Sequence, residues 1–393
     1  MKRNYFILAF GLIAYGFKRY NGYDLDSYFH LAEAAWAGQP LYGEKALSLY
    51  PPAGAYVLEL FHYLPNKVTH TAWYLISILI FYRISRIGFS FFQFAEDSNF
   101  KKGLFYWLSW IAILQGLGAQ LEGGNINLLL MYSLFEGLNI LVRKSENPRD
   151  LILGLLLTWL PVIFKPYLGL VSSGLTVFFL RRSGWRVLVA PIMVAALMTL
   201  FPALIKGFET VQLDYANWLS GDLSYIDCAF TLKCNAVNYG LPSYLYQIQN
   251  WSLANISVFV LLVSSGVLVY SFFERHLLRL AGVISIITFC VSPASFPYTL
   301  MLLWISIISA SSVVVFGDRS QNQVAQICAW IFLGAMIFLN PTYVGRSFFN
   351  EVIVYYRVTT FFILLGLGTL GTGPFTKDFK PAVFLRSQKT RDP

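Results

Sequence analysis

Residues 254–273, ANISVFVLLVSSGVLVYSFF, contain no charged side chain, and Glu274-Arg275-His276 ends the run. As a helix rising 1.5 Å per residue, this stretch is about 30 Å long, which matches the hydrocarbon core of a bilayer. A second uncharged run, VLVAPIMVAALMTLFPALI at 187–205, stops at Lys206. Ten more candidate spans follow the same reading: 4–19, 68–92, 103–119, 125–142, 151–164, 167–180, 277–292, 298–316, 324–340 and 352–373. No single soluble core can account for so many apolar runs. The sequence therefore predicts an all-α, polytopic membrane helix bundle of about twelve transmembrane helices.

Composition agrees. Hydrophobic residues make up 56% of the chain and charged residues only 12%, where a soluble domain carries about a quarter charged. The 24 Tyr and 10 Trp suit repeated crossings of the membrane–water interface. The net charge of +9 comes from basic residues dispersed between apolar segments, so no nucleic-acid partner is expected. The run Tyr5–Phe17 follows Lys2 and Arg3 but leads to Lys18-Arg19 and not to a small-residue cleavage site, so it reads as a retained first span. Cys290 and Cys328 lie in apolar runs; Cys228 and Cys234 share a polar loop, where a bridge and two free thiols are both open.

Basic residues fix the orientation. Twelve spans with both ends in the cytoplasm place 20 of the 29 Lys and Arg on the cytoplasmic side. Segment 52–64 (PAGAYVLELFHYL) is short and holds Glu59 and His62, so it is expected to lie in the interface or re-enter. Counting it as a span would invert every later loop and reverse the bias. The transmembrane domain then covers 1–373, with a basic cytoplasmic tail at 374–393. Two long loops, about 20–66 and 206–251, share the outer face, where long structured loops carry function.

The first outer loop places Asp24 and Asp26 where a helix begins, with Tyr28, Leu31, Ala32, Ala35 and Trp36 on one face. The acids fit an N-cap and favour the helix dipole. Equally, a carboxylate at the membrane boundary can serve as a general base. At 121–130 (LEGGNINLLL), Gly123-Gly124 permits close backbone approach, and Asn125 and Asn127 bring amides to a span's outer end. Polar groups there need partners or a wet cavity. Lys165-Pro166 sits between two short apolar runs. Its ammonium either snorkels to the interface or holds a phosphate as a point charge. No His/Cys/Asp spacing resembles a metal site, no nucleotide-binding motif is present, and no cofactor is expected.

The order Asp24-x-x-x-Tyr28, Gly38, Leu41-Tyr42 and Tyr50-Pro51-Pro52 resembles the first outer loop of GT-C glycosyltransferases, in particular family GT87, which includes polyprenyl-phosphomannose-dependent α-mannosyltransferases. The resemblance continues through Gly124–Leu128, Lys165-Pro166 and Arg181-Arg182, and into NAVNYGLPSY at 235–244. One departure is that Ser292–Thr299 lacks the histidine pair common in the family, which leaves the sugar open. The resemblance implies a GT-C fold in a bacterial inner membrane, with the active site on its outer face. It implies inverting transfer of a sugar, chiefly mannose, from a polyprenyl-phosphate donor to a glycolipid or glycan acceptor. Asp24 matches the family's catalytic acid, with Asp26 second. Tyr28, Tyr50, Asn125, Asn127, Lys165 and Asn235 are the implied substrate-binding residues, with Arg346 and Arg357 competing with Lys165 for the phosphate. A lipid-linked sugar flippase and a catalytically silent binding protein are the other readings.

Overall fold

The computed structural model describes residues 2–39, 41–42, 50–92, 99–220, 240–292, 297–317, 323–339 and 358–372. Every regular element among the described residues is helical. In chain order they are α1 (Lys2–Arg19), α2 (Tyr23–Trp36), α3 (Pro52–Leu58), α4 (Asn66–Ser90), α5 (Asn99–Gly123), α6 (Asn127–Lys144), α7 (Pro148–Trp159), α8 (Gly169–Ser183) and α9 (Val189–Lys206). Then come α10 (Phe208–Ser220), α11 (Leu241–Gln247), α12 (Leu253–Phe273), α13 (Leu277–Val291), α14 (Trp304–Phe316), α15 (Gln323–Phe338), α16 (Val358–Leu364) and α17 (Gly366–Thr372).

Among the described residues, five stretches are long and apolar enough to cross a membrane: Asn66–Ser90, Asn99–Gly123, Pro166–Lys206, Leu253–Phe273 and Thr299–Phe316. The third contains α8 and α9, joined by a 3-10 turn at Gly184–Leu188. Gly184 adopts φ 65°, a left-handed conformation that side chains resist, and the chain reverses there. Leu277–Val291, Gln323–Phe338 and Val358–Leu370 are apolar but shorter. Within the second long loop, residues 221–239, with Cys228, Cys234 and Asn235, lie outside the described residues, as do Arg346, Arg357 and the 374–393 tail.

Cross-helix contacts give the direction of each helix. Arg83 on α4 bonds Glu136 on α6, and Ser90 bonds Arg143, so α4 and α6 run parallel. α7 returns antiparallel: Ser133 donates to Leu157 O, and a Cβ on Gly137 would sit 2.6 Å from Gly154 O. Only glycine allows that approach, the small-residue packing by which membrane helices associate. The Tyr5–Tyr82 and Tyr74–Leu12 contacts set α1 antiparallel to α4. The core between the helices is aromatic, with Phe81, Phe105, Trp110, Phe135 and Trp304 fully buried. On α12, Val258, Leu261, Leu262 and Val269 are exposed, as a lipid-facing surface requires.

α2, α3 and the 3-10 turn Glu59–Tyr63 cap one end of this bundle. Segment 52–64 is thus two short helical pieces, packed against α2, and neither is long enough to span. Lys206, at the end of α9, pairs with Glu59 at 2.9 Å and marks the same end.

Candidate active site

The site forms where α2, the α5–α6 junction and the break after α7 converge. Gly22 and Gly124, both at positive φ, make the first junction. Gly22 (φ 66°) turns α1 into α2, and the backbone N–H groups of Asn21 and Gly22 donate to Glu122 O at 3.1 and 3.0 Å. Gly22 is the N-cap of α2 and makes no side-chain cap bond. Neither aspartate therefore caps the helix through its side chain, contrary to the capping expectation. Both lie in the first turn, where the helix dipole favours them, and their carboxylates reach elsewhere.

Asp24 turns toward the α5–α6 junction. Asn125 Nδ2 donates to its Oδ2 at 3.0 Å, and none of the described residues donates to Oδ1. A Cβ on Gly123 would lie 2.7 Å from the same Oδ2, so glycine there makes room for the carboxylate. Asp26 instead accepts from the ring of His70 (Nε2 to Oδ1, 3.0 Å), whose Nδ1 meets Tyr20 Oη at 3.0 Å. The two acids, one turn-fraction apart in sequence, serve different networks.

Tyr28 is buried, and its hydroxyl ties three segments together. It accepts from Ile126 N at 3.1 Å and lies 3.0 Å from the Tyr50 hydroxyl. Tyr42 Oη in turn donates to Tyr50 O at 2.8 Å. The next residue, Pro51, leads into α3, with Pro52 in its first turn, where the missing N–H costs nothing. Gly54 on α3 packs so that a Cβ would sit 2.8 Å from Ile163 O, which brings the Lys165 turn alongside.

Lys165 precedes Pro166, and the proline ring disfavours a helical conformation at the residue before it. Its backbone is at φ −133°, ψ 86°, between the 3-10 turns Leu160–Ile163 and Pro166–Leu168. The half-buried side chain passes over the Tyr50 ring, with Nζ 4.9 Å from the centroid. Burial lowers the Lys165 pKa to about 8, and the charge of Asp24 opposes that fall. Burial raises the Asp24 carboxyl, partly offset by the Asn125 hydrogen bond and the Lys165 charge. A desolvated carboxylate, a lysine and two tyrosines thus belong to one network of contacts and charge interactions.

Asn127 opens α6 and is buried to 3% exposure. Its N–H donates to Asn125 Oδ1 at 3.0 Å, while neither side-chain polar atom has a partner among the described residues. Of the residues expected from sequence, Asp24, Tyr28, Tyr50, Asn125 and Lys165 form one connected set, Asn127 abuts it, and Asp26 stands apart. Tyr42 and His70 are the members that sequence reasoning left without a role. Tyr42 lay within the recognised motif, whereas His70 carries no local signal, because its partner is 44 positions away.

The sequence matches the model of glycosyltransferase family 87 over residues 49–293, more than half of the chain. That stretch includes Tyr50, Asn125, Asn127 and Lys165 and begins after α2, which carries both aspartates. Neither curated proteins nor solved structures returned a match. With its apolar bundle and this match, the chain belongs to glycosyltransferase family 87 and is a membrane glycosyltransferase.

Proposed function

We propose that this enzyme transfers a sugar, chiefly mannose, from a polyprenyl-phosphate donor to a glycolipid or glycan acceptor, with inversion and with Asp24 as general base. The observation that carries the reading is the Asp24 carboxylate: Asn125 fixes Oδ2, no described residue donates to Oδ1, and Lys165 stabilises its charge. Oδ1 would take the proton of the acceptor hydroxyl as that oxygen attacks the anomeric carbon. The bond from that carbon to the phosphate oxygen breaks on the opposite face, and its electron pair leaves with the lipid phosphate. That phosphate is already anionic, so it needs a counter-charge more than a proton. Lys165 supplies one, held above Tyr50 by the pre-proline turn. Positioning and electrostatics then do most of the catalytic work.

The twelve-span topology, with α2 and α3 on the outer face of a bacterial inner membrane, fits this chemistry. A lipid-linked donor keeps its tail among the helices and presents its head at the end of the bundle capped by α2. The buried amide of Asn127 would bind a sugar hydroxyl, and Asn235 is proposed as a further substrate-binding residue. The test is to incubate purified protein with a panel of polyprenyl-phosphate sugars and candidate glycolipid acceptors and to identify products by mass spectrometry. A new glycosidic bond formed only from the mannosyl donor is expected. Product formed only from nucleotide sugars would overturn the reading.

A further inference from the structure

At the end of the bundle remote from α2, α4 and α6 enclose a cleft of about 140 Å³ lined by Arg83, Arg86, Ile87, Ser90, Asn139 and Arg143. That is several times the space one water needs. The local charge balance is uneven. Glu136 takes Arg83 (Nε to Oε1, 2.6 Å), and its Oε2 accepts from Asn139 Nδ2 at 3.3 Å, so both carboxylate oxygens are engaged. No described carboxylate lies within ion-pairing distance of Arg86 or Arg143. Arg143 donates to Ser90 Oγ at 2.8 Å, and Arg86 lies over the Tyr82 ring at 5.7 Å. The cleft thus offers two guanidinium groups that no described carboxylate pairs, and guanidinium forks suit phosphate oxygens.

The surface leading to the cleft is apolar. Leu75, Leu79 and Tyr82 are exposed on α4, at i, i+4 and i+7, so they share one face with Arg86 at i+11. This stripe runs from mid-helix to the arginines, as an acyl chain below a phosphate headgroup would. Asn139 Oδ1 is buried at the cleft and accepts no hydrogen bond from a described residue, so it can take a hydroxyl of the headgroup. We propose that this cleft binds the phosphate of an anionic phospholipid whose headgroup carries a hydroxyl, with the acyl chains lying along α4. The site is separate from the Asp24 centre and does not rest on the catalytic reading.

Native mass spectrometry of the full-length protein, titrated with phosphatidylglycerol, phosphatidylcholine and inorganic phosphate, tests this. Wild-type protein is expected to hold phosphatidylglycerol in preference to phosphatidylcholine, and millimolar phosphate should not displace it. Arg86→Gln with Arg143→Gln is expected to weaken phosphatidylglycerol binding by roughly tenfold or more. A control removing two other basic groups, Lys102→Gln with Arg275→Gln, should leave it unchanged. Equal loss in both double variants would reduce the effect to diffuse charge and overturn the proposal. So would displacement by phosphate alone, or equal binding of phosphatidylcholine. If the arginine variant does not fold, Asn139→Asp places a carboxylate in the cleft; unchanged phosphatidylglycerol binding by that variant would equally overturn the proposal.

Discussion

Asn125 Nδ2 donates to Asp24 Oδ2 across 3.0 Å, joining the first turn of α2 to the junction of α5 and α6. The bond orients the carboxylate, and the glycine beside it makes the orientation sterically possible, since a Cβ at position 123 would come within 2.7 Å of the same oxygen. Gly123 ends α5, and its φ is not positive, so alanine there meets no backbone strain. Gly123→Ala is therefore expected to fold normally while pushing Asp24 off Asn125. A displacement of about 1 Å can cost on the order of 100-fold in rate. Transfer rate measured beside thermal stability checks this; unchanged transfer would mean that Asp24 is not held where chemistry needs it.

The two aspartates make a discriminating pair. Asp24 has an oxygen with no described donor, while Asp26 is held by His70. Asp24→Asn is expected to lower transfer by about 100-fold or more, the range of a lost general base, with donor binding kept. Asp26→Asn should lower stability by about 1 kcal/mol through the loosened His70–Tyr20 chain and leave most of the activity. Reversal of the two phenotypes would make Asp26 the base.

Activity should depend on pH through both limbs of the Asp24–Lys165 couple. Burial raises the Asp24 carboxyl, so the base becomes available only above the usual carboxylate range, and the rate climbs as pH rises through that raised value. Lys165 is lowered to about 8, so its charge, and with it the stabilised phosphate, is lost as pH rises past that point. A bell-shaped profile of kcat/KM is expected, with its basic limb near pH 8. Lys165→Arg should push the basic limb upward, because a guanidinium stays protonated. A basic limb unmoved in that variant would assign it to another group.

Much of this was legible in the sequence, for reasons that differ from element to element. The uncharged run at 254–273 becomes α12, and the Lys165-Pro166 pair becomes a break, because span length and the pre-proline clash are local properties. The α2 boundary was misread in its capping, because Gly22 takes the N-cap through a backbone turn set by Glu122 O, a partner 100 positions on. The split of Asp24 from Asp26 was likewise beyond reach. Each acid is defined by a residue from a distant helix, Asn125 and His70, and no spacing rule connects them. The run 151–164 is short for a span and holds Pro161, and its α-helix ends at Trp159 and tightens to 3-10 at that proline. That proline removes a backbone donor where the chain must turn Lys165 toward Tyr50.

Asn127 separates a structural role from a ligand-binding one. Its side chain is buried, and neither its amide nitrogen nor its oxygen has a partner among the described residues. A buried polar group without a bond costs about 1–3 kcal/mol, so the folded enzyme carries a penalty that a bound sugar hydroxyl would relieve. Asn127→Leu keeps the volume and removes the unsatisfied amide. Its thermal stability is expected to equal or exceed that of the wild type, while KM for the donor rises by roughly tenfold, the worth of one hydrogen bond of about 1.4 kcal/mol. Asn127→Asp keeps the shape but adds a negative charge to the proposed donor site, and it should weaken binding of the anionic donor further. Thermal unfolding with and without donor distinguishes the two roles: donor should raise the melting temperature of the wild type more than that of Asn127→Leu. A variant that loses stability yet binds donor normally would show that the amide supports the fold and touches no substrate.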